Sequence, residues 1–346
     1  MNHKYKAFLI TAAKVLLFLA LFLSLYGYTR EVLRDKTQSE ALAIVMDQPK
    51  GSYDVVFAGP SHMQYAMHPA QLFAEYGITS CNVSTSAQSI PTSYYVVKEL
   101  IRQQEPELVV LDLFCLFYPE IYFTPVRFHQ AVDNFSLSSV KAEAIEDLGG
   151  DFKKEFYLNY LLYHGRWKEL TRYDYTIHRE FNETFQLLYG ATPYPTPFAP
   201  VDPGETAEIP EVPLTYLKKL VELCRETDTR LLLTVIPYRA DEDNNDTSAI
   251  YQQQLYNALA LHCQEWGVDY LNGLHYLQDM AFDFNTDMYE YSHVNTSGAQ
   301  KISNWYGRYL QDHYDLTDHR SNPDFSHWYE DVAAYQQALL GAERDS

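Results

Sequence analysis

Short apolar runs recur along the chain beyond residue 50 and alternate with longer amphipathic segments. Runs with few polar positions are typical of strands that are buried on both faces of a sheet. The runs lie at residues 53–59, 78–83, 108–113, 231–236 and, more weakly, 268–271, and helical patterns lie between them at 69–76, 94–104, 214–228 and 250–266. This order predicts an α/β fold with a parallel sheet between helical layers, and ligands on such sheets bind beyond the carboxyl ends of the strands.

The alternation is interrupted between about residue 119 and residue 211. This stretch contains an aromatic-rich segment at 156–167, and prolines follow at positions 193, 195, 197, 200 and 203. The pattern predicts a helical insertion that is closed by an irregular loop. We expect most of its aromatic side chains to pack against the sheet, and a lid or substrate wall is the alternative.

The N-terminal residues form an apolar run from residue 7 to residue 28, interrupted by Lys14. About 20 apolar residues cross the bilayer core, and a lysine near its edge can extend its amine to the headgroups. We therefore expect residues 1–28 to form a tip and a transmembrane anchor, followed by a polar, partly helical stalk at 29–50. A cleaved signal peptide is the alternative, although no small-x-small cleavage site follows the run. Basic residues flank the run on both sides, so the positive-inside rule does not decide its orientation.

The net charge of the chain limits the kinds of partner that it can bind. Beyond residue 36 the chain carries 20 basic and 44 acidic side chains, a net charge of −24. Such a surface repels nucleic acid and anionic lipid, so we expect no nucleic-acid partner. The four cysteines show no CxxC spacing, which argues against zinc, and buried free thiols are the default expectation: Cys81, Cys115, Cys224 and Cys263.

A serine directly follows the first predicted strand, in the tetrapeptide Gly59-Pro60-Ser61-His62. A serine on a turn into a helix has its hydroxyl exposed at the strand's carboxyl end, where backbone N–H groups can stabilise an oxyanion. Glycine and serine are also ordinary turn residues, so this feature alone favours a turn or capping role over a nucleophile.

A histidine near the other end of the chain supplies a base. His293 precedes an apparent helix start, and Glu290 lies three residues before it. A serine nucleophile needs a base within hydrogen-bond reach, and the base needs an acidic partner on its other nitrogen. We predict Ser61 as the nucleophile, His293 as the base and Glu290 as the acid, with Asp287 as the alternative acid.

Together these blocks resemble the SGNH/GDSL hydrolase superfamily. Gly-x-Ser-His follows the first strand, and acid-x-x-His-x-Asn-x-x-Gly-Ala stands near the end of the chain. Further likeness is found at residues 81–89, 166–170, 318–320 and 328, and it points to the bacterial branch of the teichoic-acid D-alanylation protein DltD and the alginate O-acetylation proteins. The resemblance implies a flavodoxin-like three-layer SGNH domain over residues 51–316, with the insertion at about 119–211 and a C-terminal tail helix at 317–346.

The second and third blocks depart from the family pattern. Ser84 stands in the place of the oxyanion glycine, and residues 111–115 lack the Gly-x-Asn-Asp block. Ser84, Asn82 and His62 are the candidates for oxyanion or substrate contacts, although His62 could equally cap or pack. A metal site built from His62, His68 and His293 is disfavoured, and no cofactor is expected.

The resemblance also implies a function. It implies a single-pass membrane protein with a cytoplasmic tip and an extracytoplasmic catalytic domain. The expected chemistry is serine acyl transfer, placing acetyl or D-alanyl groups on a cell-envelope polysaccharide or teichoic acid beside a membrane-bound acyltransferase. Plain esterase activity is the nearest alternative. A non-catalytic scaffold on the same fold is a different class of answer, which the altered oxyanion blocks favour.

Overall fold

The computed structural model describes residues 3–34, 40–117, 124–176, 187–193, 201, 203–240 and 247–345. Five parallel strands form one sheet in the order β2-β1-β3-β4-β5. They are β1 (Val55–Ala58), β2 (Ser80–Asn82), β3 (Leu108–Asp112), β4 (Arg230–Val235) and β5 (Asp269–Asn272). Each lies within or beside a predicted apolar run, and the predicted α/β class with a parallel sheet is confirmed.

Helices account for most of the remaining described chain. They are α1 (His3–Leu33), α2 (Glu40–Met46), α3 (Ser61–Ala66), α4 (Pro69–Tyr76), α5 (Ile90–Gln104), α6 (Pro125–Val132), α7 (Ser139–Leu148), α8 (Lys153–Tyr157), α9 (Asn159–Tyr163), α10 (Tyr173–Thr176), α11 (Glu211–Glu226), α12 (Thr247–Trp266), α13 (Thr296–His313) and α14 (Trp328–Asp345). Short 3₁₀ turns lie at Phe114–Phe117, Gly150–Phe152, His164–Lys168, Gly273–Tyr276 and Pro323–Phe325.

Local signals in the sequence set the ends of the longer helices. The Ser89 side chain accepts a hydrogen bond from the Thr92 N–H at the start of α5, and a proline stands in its first turn. The Asn295 side chain does the same for Gly298 at the start of α13. Side chains of this kind satisfy N–H groups that have no partner within the helix. The helices therefore begin where the chain offers a cap.

The first helix is long and apolar enough to cross a membrane. Its side chains are exposed along nearly all of residues 5–25, and they become buried only at residues 32–34. α1 continues past residue 28 to Leu33, and Leu42 and Val45 of α2 are fully buried in the main core. The predicted polar stalk at 29–50 is thus partly a packed element, because residues 41–46 form an apolar stretch that the sheet layer covers.

The insertion after β3 is helical from α6 to α10, and its described residues 187–193 and 203–210 are irregular. His129 on α6 stacks on Phe156 of α8 with ring centroids 4.0 Å apart. α1 packs against α9, the 3₁₀ turn His164–Lys168 and α10. The insertion therefore lies against the base of the apolar helix, and only part of its aromatic content packs into the domain.

The C-terminal helix covers one side of the sheet layer. α14 packs against α4, where Trp328 stacks on Phe73 with centroids 5.2 Å apart and meets Tyr53 edge-on at 6.2 Å. Trp328 is only 2% exposed. The tail helix predicted at 317–346 lies inside this range as α14, and it belongs to the folded domain.

Candidate active site

The serine stands at the point where the strand order of the sheet reverses. β1 pairs with β2 on one side and with β3 on the other, and ligands of open α/β sheets bind at such a switch point. Gly59 follows β1 with a φ of +143°, and a Cβ there would lie 3.0 Å from the Asp112 Cβ. Only glycine fits this close turn, which brings Ser61 to the first position of α3.

Three side chains from two distant parts of the sequence are linked in series by hydrogen bonds. His293 Nε2 lies 2.7 Å from Ser61 Oγ, and His293 Nδ1 contacts Glu290 Oε1. With the ring proton on Nδ1, His293 donates to Glu290 and accepts from the Ser61 hydroxyl. This is the arrangement in which an imidazole can take a serine proton while a carboxylate orients it.

A tight loop presents His293 and Glu290 to the serine. Met288 and Val294 form an isolated antiparallel bridge, and the Tyr289 N–H donates to the His293 carbonyl at 2.9 Å. Asn295 caps α13 and also donates to the Thr286 carbonyl at 2.8 Å. These bonds give the Asn of the C-terminal block a structural role.

Helix α13 fixes this loop relative to the serine. Ser303 on α13 donates to the Ala66 carbonyl at 3.0 Å and accepts from the His68 N–H at 3.0 Å. Both bonds lie at the junction of α3 and α4. Ser61, on α3, and the His293 loop, which leads into α13, are thereby fixed by helices that contact each other directly.

The electrostatics of Glu290 suit an acid that orients a histidine. Partial burial raises the pKa of Glu290, but hydrogen bonds from Ser292 and His293 outweigh it, and the pKa lies below its ordinary value. The Ser292 hydroxyl donates to Glu290 Oε1 at 2.8 Å. Glu290 is therefore ionised at neutral pH, as a partner for an imidazolium must be.

The alternative acid has other partners. Asp287 is fully buried; its Oδ2 forms an ion pair with Lys301 Nζ at 2.7 Å and accepts from the Asp283 N–H at 2.7 Å. Its Oδ1 accepts from the Ser297 hydroxyl at 2.9 Å. The structure thus brings Glu290, and not Asp287, to His293, and Asp287 ties the loop to α13.

Asn82 and Ser84, the two candidates of the second block, are buried and form hydrogen bonds within the protein. Asn82 Nδ2 donates to the Met63 carbonyl at 2.9 Å and to the Met67 carbonyl at 3.1 Å, so its amide caps the end of α3. Asn82 Oδ1 accepts from the Ser84 N–H at 3.3 Å. Ser84 is buried, and its hydroxyl has no partner among the described residues. The Ser84 hydroxyl, rather than its N–H, is the group still available for a hydrogen bond.

His62 lies beside the imidazole of His293. Its ring stacks on Phe114 with centroids 3.5 Å apart and lies 5.1 Å from the His293 ring. Burial lowers the pKa of His62 well below its ordinary value, and the neighbouring His293 adds to the effect. His62 is therefore neutral at pH 7, and both its ring nitrogens lack partners within the described chain.

The third candidate metal ligand is bonded elsewhere. His68 Nδ1 lies 2.9 Å from the Tyr335 hydroxyl. Among the residues that the structure describes, no group of three or more His, Cys, Asp or Glu side chains is placed to hold a metal ion. The three histidines here instead contact aromatic rings or form hydrogen bonds.

Three aromatic side chains that line the site were not predicted from the sequence: Tyr65, Phe114 and Tyr238. Tyr65 meets the His293 ring edge-on at 5.2 Å, and Tyr238 meets Phe114 edge-on at 5.1 Å. Phe114 and Tyr238 come two and three residues after β3 and β4. Their position just beyond the carboxyl ends of strands was the available signal, since that edge of a parallel sheet holds the ligand.

The insertion also reaches the site. The Thr296 N–H donates to the Leu188 carbonyl at 2.8 Å, and the Thr192 N–H donates to the Met288 carbonyl at 3.2 Å. Residues 187–193 thus lie along the loop that carries His293.

A cavity of about 680 Å³ lies at the opposite edge of the sheet from Ser61. Residues such as Pro106 and Thr229, at the amino ends of β3 and β4, line it.

Asp112 closes the other side of the serine turn. It is fully buried at the end of β3, and its Oδ1 accepts from the Ile236 N–H at 2.9 Å. Its Oδ2 has no partner in the described chain. Burial raises the pKa of Asp112 to about 7 from its ordinary value of 3.8, although backbone N–H groups oppose the rise.

This raised pKa predicts a pH-dependent stability. The folded protein keeps the Asp112 proton up to pH of about 7, whereas the unfolded chain releases it near pH 3.8. The free energy of unfolding should therefore fall as pH rises between these values and level off above them. Asp112→Asn does not titrate, so its urea midpoint should rise relative to wild type between pH 5 and pH 8. The exposed Asp279→Asn is the control, and an equal offset of Asp112→Asn at both pH values would contradict the expectation.

Comparison with known proteins adds little to this geometry. No protein-family model matches the chain, and no curated protein matches it in sequence. One solved structure that matches is a crystal structure of a candidate acylhydrolase from Bacteroides fragilis, 13% identical, which covers 81% of this chain and 97% of that chain with a TM-score of 0.39. At this level the likeness carries no conclusion on activity, and the SGNH/GDSL resemblance stays a prediction from the sequence.

Proposed function

We propose that this protein is a serine-dependent acyl-transferring or ester-hydrolysing enzyme. The observation that carries the proposal is the 2.7 Å contact between Ser61 Oγ and His293 Nε2, continued through Nδ1 to Glu290. Nucleophile, base and orienting acid are the three parts that activate a serine hydroxyl at neutral pH. Their position at the switch point of the sheet, beyond the carboxyl ends of the strands, is where a ligand of this fold binds.

The first half of the reaction transfers an acyl group to the serine. His293 Nε2 takes the Ser61 proton while Oγ attacks the carbonyl carbon of the donor ester, giving a tetrahedral oxyanion. The imidazolium, held by ionised Glu290, then gives this proton to the leaving oxygen. The donor's C–O bond breaks, the donor alcohol departs, and the acyl group stays on Ser61 as an ester.

The second half repeats these steps with a different oxygen. His293 removes the proton of an acceptor hydroxyl or of water, and this oxygen attacks the acyl carbon. Collapse of the second tetrahedral species breaks the bond to Oγ, and His293 returns the proton to Ser61. A sugar or polyol acceptor gives a new ester, and water gives the free acid.

Two groups of donors are available for the oxyanion. The N–H groups in the first turn of a helix have no intrahelical partner, and Ser61 is the first residue of α3. Ser84 lies between Val83, which donates to the Phe57 carbonyl, and Thr85, which donates to the Gly59 carbonyl, so it flanks the serine turn. We assign the α3 amides and the Ser84 hydroxyl to the oxyanion, in place of the absent third-block asparagine.

The neutral state of His62 fits the same chemistry. A charged His62, with its ring 5.1 Å from that of His293, would oppose formation of the imidazolium that the mechanism needs. Because burial keeps His62 uncharged, the base can accept the serine proton without this repulsion.

The membrane helix gives the proposal its biological setting. With α1 as an uncleaved anchor, the domain stands outside the cytoplasm and acts on a cell-envelope polysaccharide or teichoic acid. We propose O-acylation with acetyl or D-alanyl groups, supplied by a membrane-bound acyltransferase beside α1. This part rests on the sequence resemblance and on the anchor.

A non-catalytic scaffold is the second candidate function. It is favoured by the engagement of Asn82 with helix carbonyls and by Asp112 at the place of the family's third block. In that case the domain would bind the polymer or the acyltransferase and leave the chemistry to its partner.

Covalent labelling separates the two candidates. The full chain in detergent should react with a fluorophosphonate probe, and peptide mass spectrometry should place the adduct on Ser61. Incubation with a p-nitrophenyl acyl ester should give the corresponding acyl mass on the same residue. Absence of both adducts from folded protein would favour the scaffold.

A further inference from the structure

One segment of the insertion differs in charge from the rest of the domain. Residues 153–172 carry five basic and two acidic side chains, whereas the chain beyond residue 36 has a net charge of −24. Lys153 pairs with Glu146 and Arg166 with Asp174. Within the described part of the chain, neither Lys154 nor Lys168 is paired with a carboxylate, and both side chains are exposed. We call residues 153–172 the basic segment.

Large apolar side chains on the same segment also face outward. Trp167 is 64% exposed, Leu162 51%, Leu158 50% and Tyr157 48%. The Lys168 amine lies over the Trp167 ring, 5.5 Å from its centroid. Scattered exposed apolar residues need no explanation, but a cluster of them among lysines on one short segment marks an interaction surface.

The basic segment is attached to the end of the candidate membrane helix. The Tyr26 ring on α1 lies 5.5 Å from the Tyr160 ring on α9. The Arg166 guanidinium donates to the Leu33 carbonyl at 2.9 Å and to the Arg34 carbonyl at 2.6 Å, and so caps the end of α1. The segment therefore lies where the helix leaves the domain.

The length of α1 places this contact at the surface of the bilayer. The apolar run from residue 7 to residue 28 is about 33 Å long at about 1.5 Å per residue, which matches the roughly 30 Å hydrocarbon core. Tyr26 then lies at the outer boundary of the core. A segment packed on Tyr26 lies at headgroup depth, where tryptophan, tyrosine and lysine side chains are enriched.

From these observations we propose that the basic segment is a membrane-surface seat, which inserts Trp167 and its apolar neighbours among anionic lipid headgroups. The domain as a whole is repelled by such a surface, but salt screens that repulsion beyond about 10 Å. The seat and α1 would hold the domain at two points and restrict its rotation about the anchor. The occupant is lipid, and this proposal rests on α1 crossing the membrane as proposed above.

Quenching by bromolipids tests the seat in the full chain. Trp305 and Trp328 are buried, so Trp167 is the most exposed of the four tryptophans. The chain would be reconstituted into phosphatidylcholine–phosphatidylglycerol vesicles, with or without lipids brominated near the headgroup, and recovered by flotation. We expect bromolipid to quench the wild-type emission, Trp167→Phe to lose most of that quenching, and the control Trp266→Phe to retain it.

Each other outcome counts against the proposal. If Trp167 is quenched by iodide in the water and not by bromolipid, the segment faces solvent in the absence of a protein partner, and the lipid seat is wrong. Failure of the whole chain to float with vesicles overturns the seat and the anchor together.

A charge-reversed variant tests the lipid class. Lys154→Glu with Lys168→Glu alters two exposed side chains that are outside the triad. In wild type, phosphatidylglycerol should increase the bromolipid quenching of Trp167 over that in pure phosphatidylcholine vesicles, and the double variant should lose the increase. Equal quenching of the wild type in both vesicles would contradict an anionic surface. Neither measurement depends on catalysis.

Discussion

Ser61→Ala should abolish covalent labelling and lower ester turnover by at least about 10⁴-fold, because loss of the serine from a Ser-His-acid triad costs on the order of 10⁶-fold in a serine protease. The substitution leaves no oxygen to attack the carbonyl, and any remaining rate comes from binding and oxyanion donors. The fold should persist, since Ser61 is only half-buried and a lost hydrogen bond costs about 1 kcal/mol. Single-turnover kinetics and urea denaturation measure the two effects.

Ser52→Ala is the matched control for this variant. Ser52 precedes β1, at the other end of the strand from Ser61, and its hydroxyl donates to the Pro49 carbonyl at 2.7 Å. It should label and turn over as wild type does. In cells, a Ser61→Ala chain that fully complements a deletion would identify the scaffold role.

Glu290→Gln should lower single-turnover acylation by about 10²- to 10³-fold while leaving stability nearly unchanged. Exchange of the triad carboxylate for an amide costs about 10⁴-fold in a serine protease, because the imidazole adopts the wrong tautomer. The Glu290 side chain is 42% exposed, so water compensates part of the loss. Glu290→Asp keeps the charge but shortens the reach, and its rate should lie between wild type and Gln.

Asp287→Asn should show the opposite pattern. It removes the carboxylate that pairs with Lys301 and accepts from Ser297, and breaking a buried ion pair costs about 3–5 kcal/mol. Because Lys301 is 34% exposed, we expect a smaller loss of roughly 1–3 kcal/mol. The acylation rate of the folded fraction should remain close to wild type. A near-normal rate for Glu290→Gln with a collapsed rate for folded Asp287→Asn would reverse the two assignments.

The sequence predicted the parts of the fold that depend on local pattern. Buried parallel strands are continuous apolar runs, so β1, β3 and β4 were visible from their valines and leucines, and helix ends followed from caps such as Ser89. The pairing of Ser61 with His293 was predictable because each stands beside a strand end or helix start, where reactive side chains are exposed. The three-residue spacing to Glu290 placed the acid on the same loop.

Features that depend on packing between elements were not visible. The Asn82 amide donates to carbonyl groups at the end of α3. This contact depends on β2 and α3 lying side by side, which the sequence does not show. The Asp112 oxygen that has no partner among the described residues likewise depends on the turn at Gly59. The apolar pattern of residues 41–46 is that of a packed helix, but their position after the N-terminal apolar run favours a stalk.

The distance between Ser61 and His293 along the chain, 232 positions, also sets an order of events in biogenesis. A chain made from its N-terminus exposes the serine first, and at about 5–20 residues per second its histidine follows on the order of ten to fifty seconds later. During that interval the proposed nucleophile has no base beside it. Under the proposed mechanism the serine becomes reactive only when α13 docks on α3 and α4, so the chain stays inert toward acyl donors until its synthesis is nearly complete.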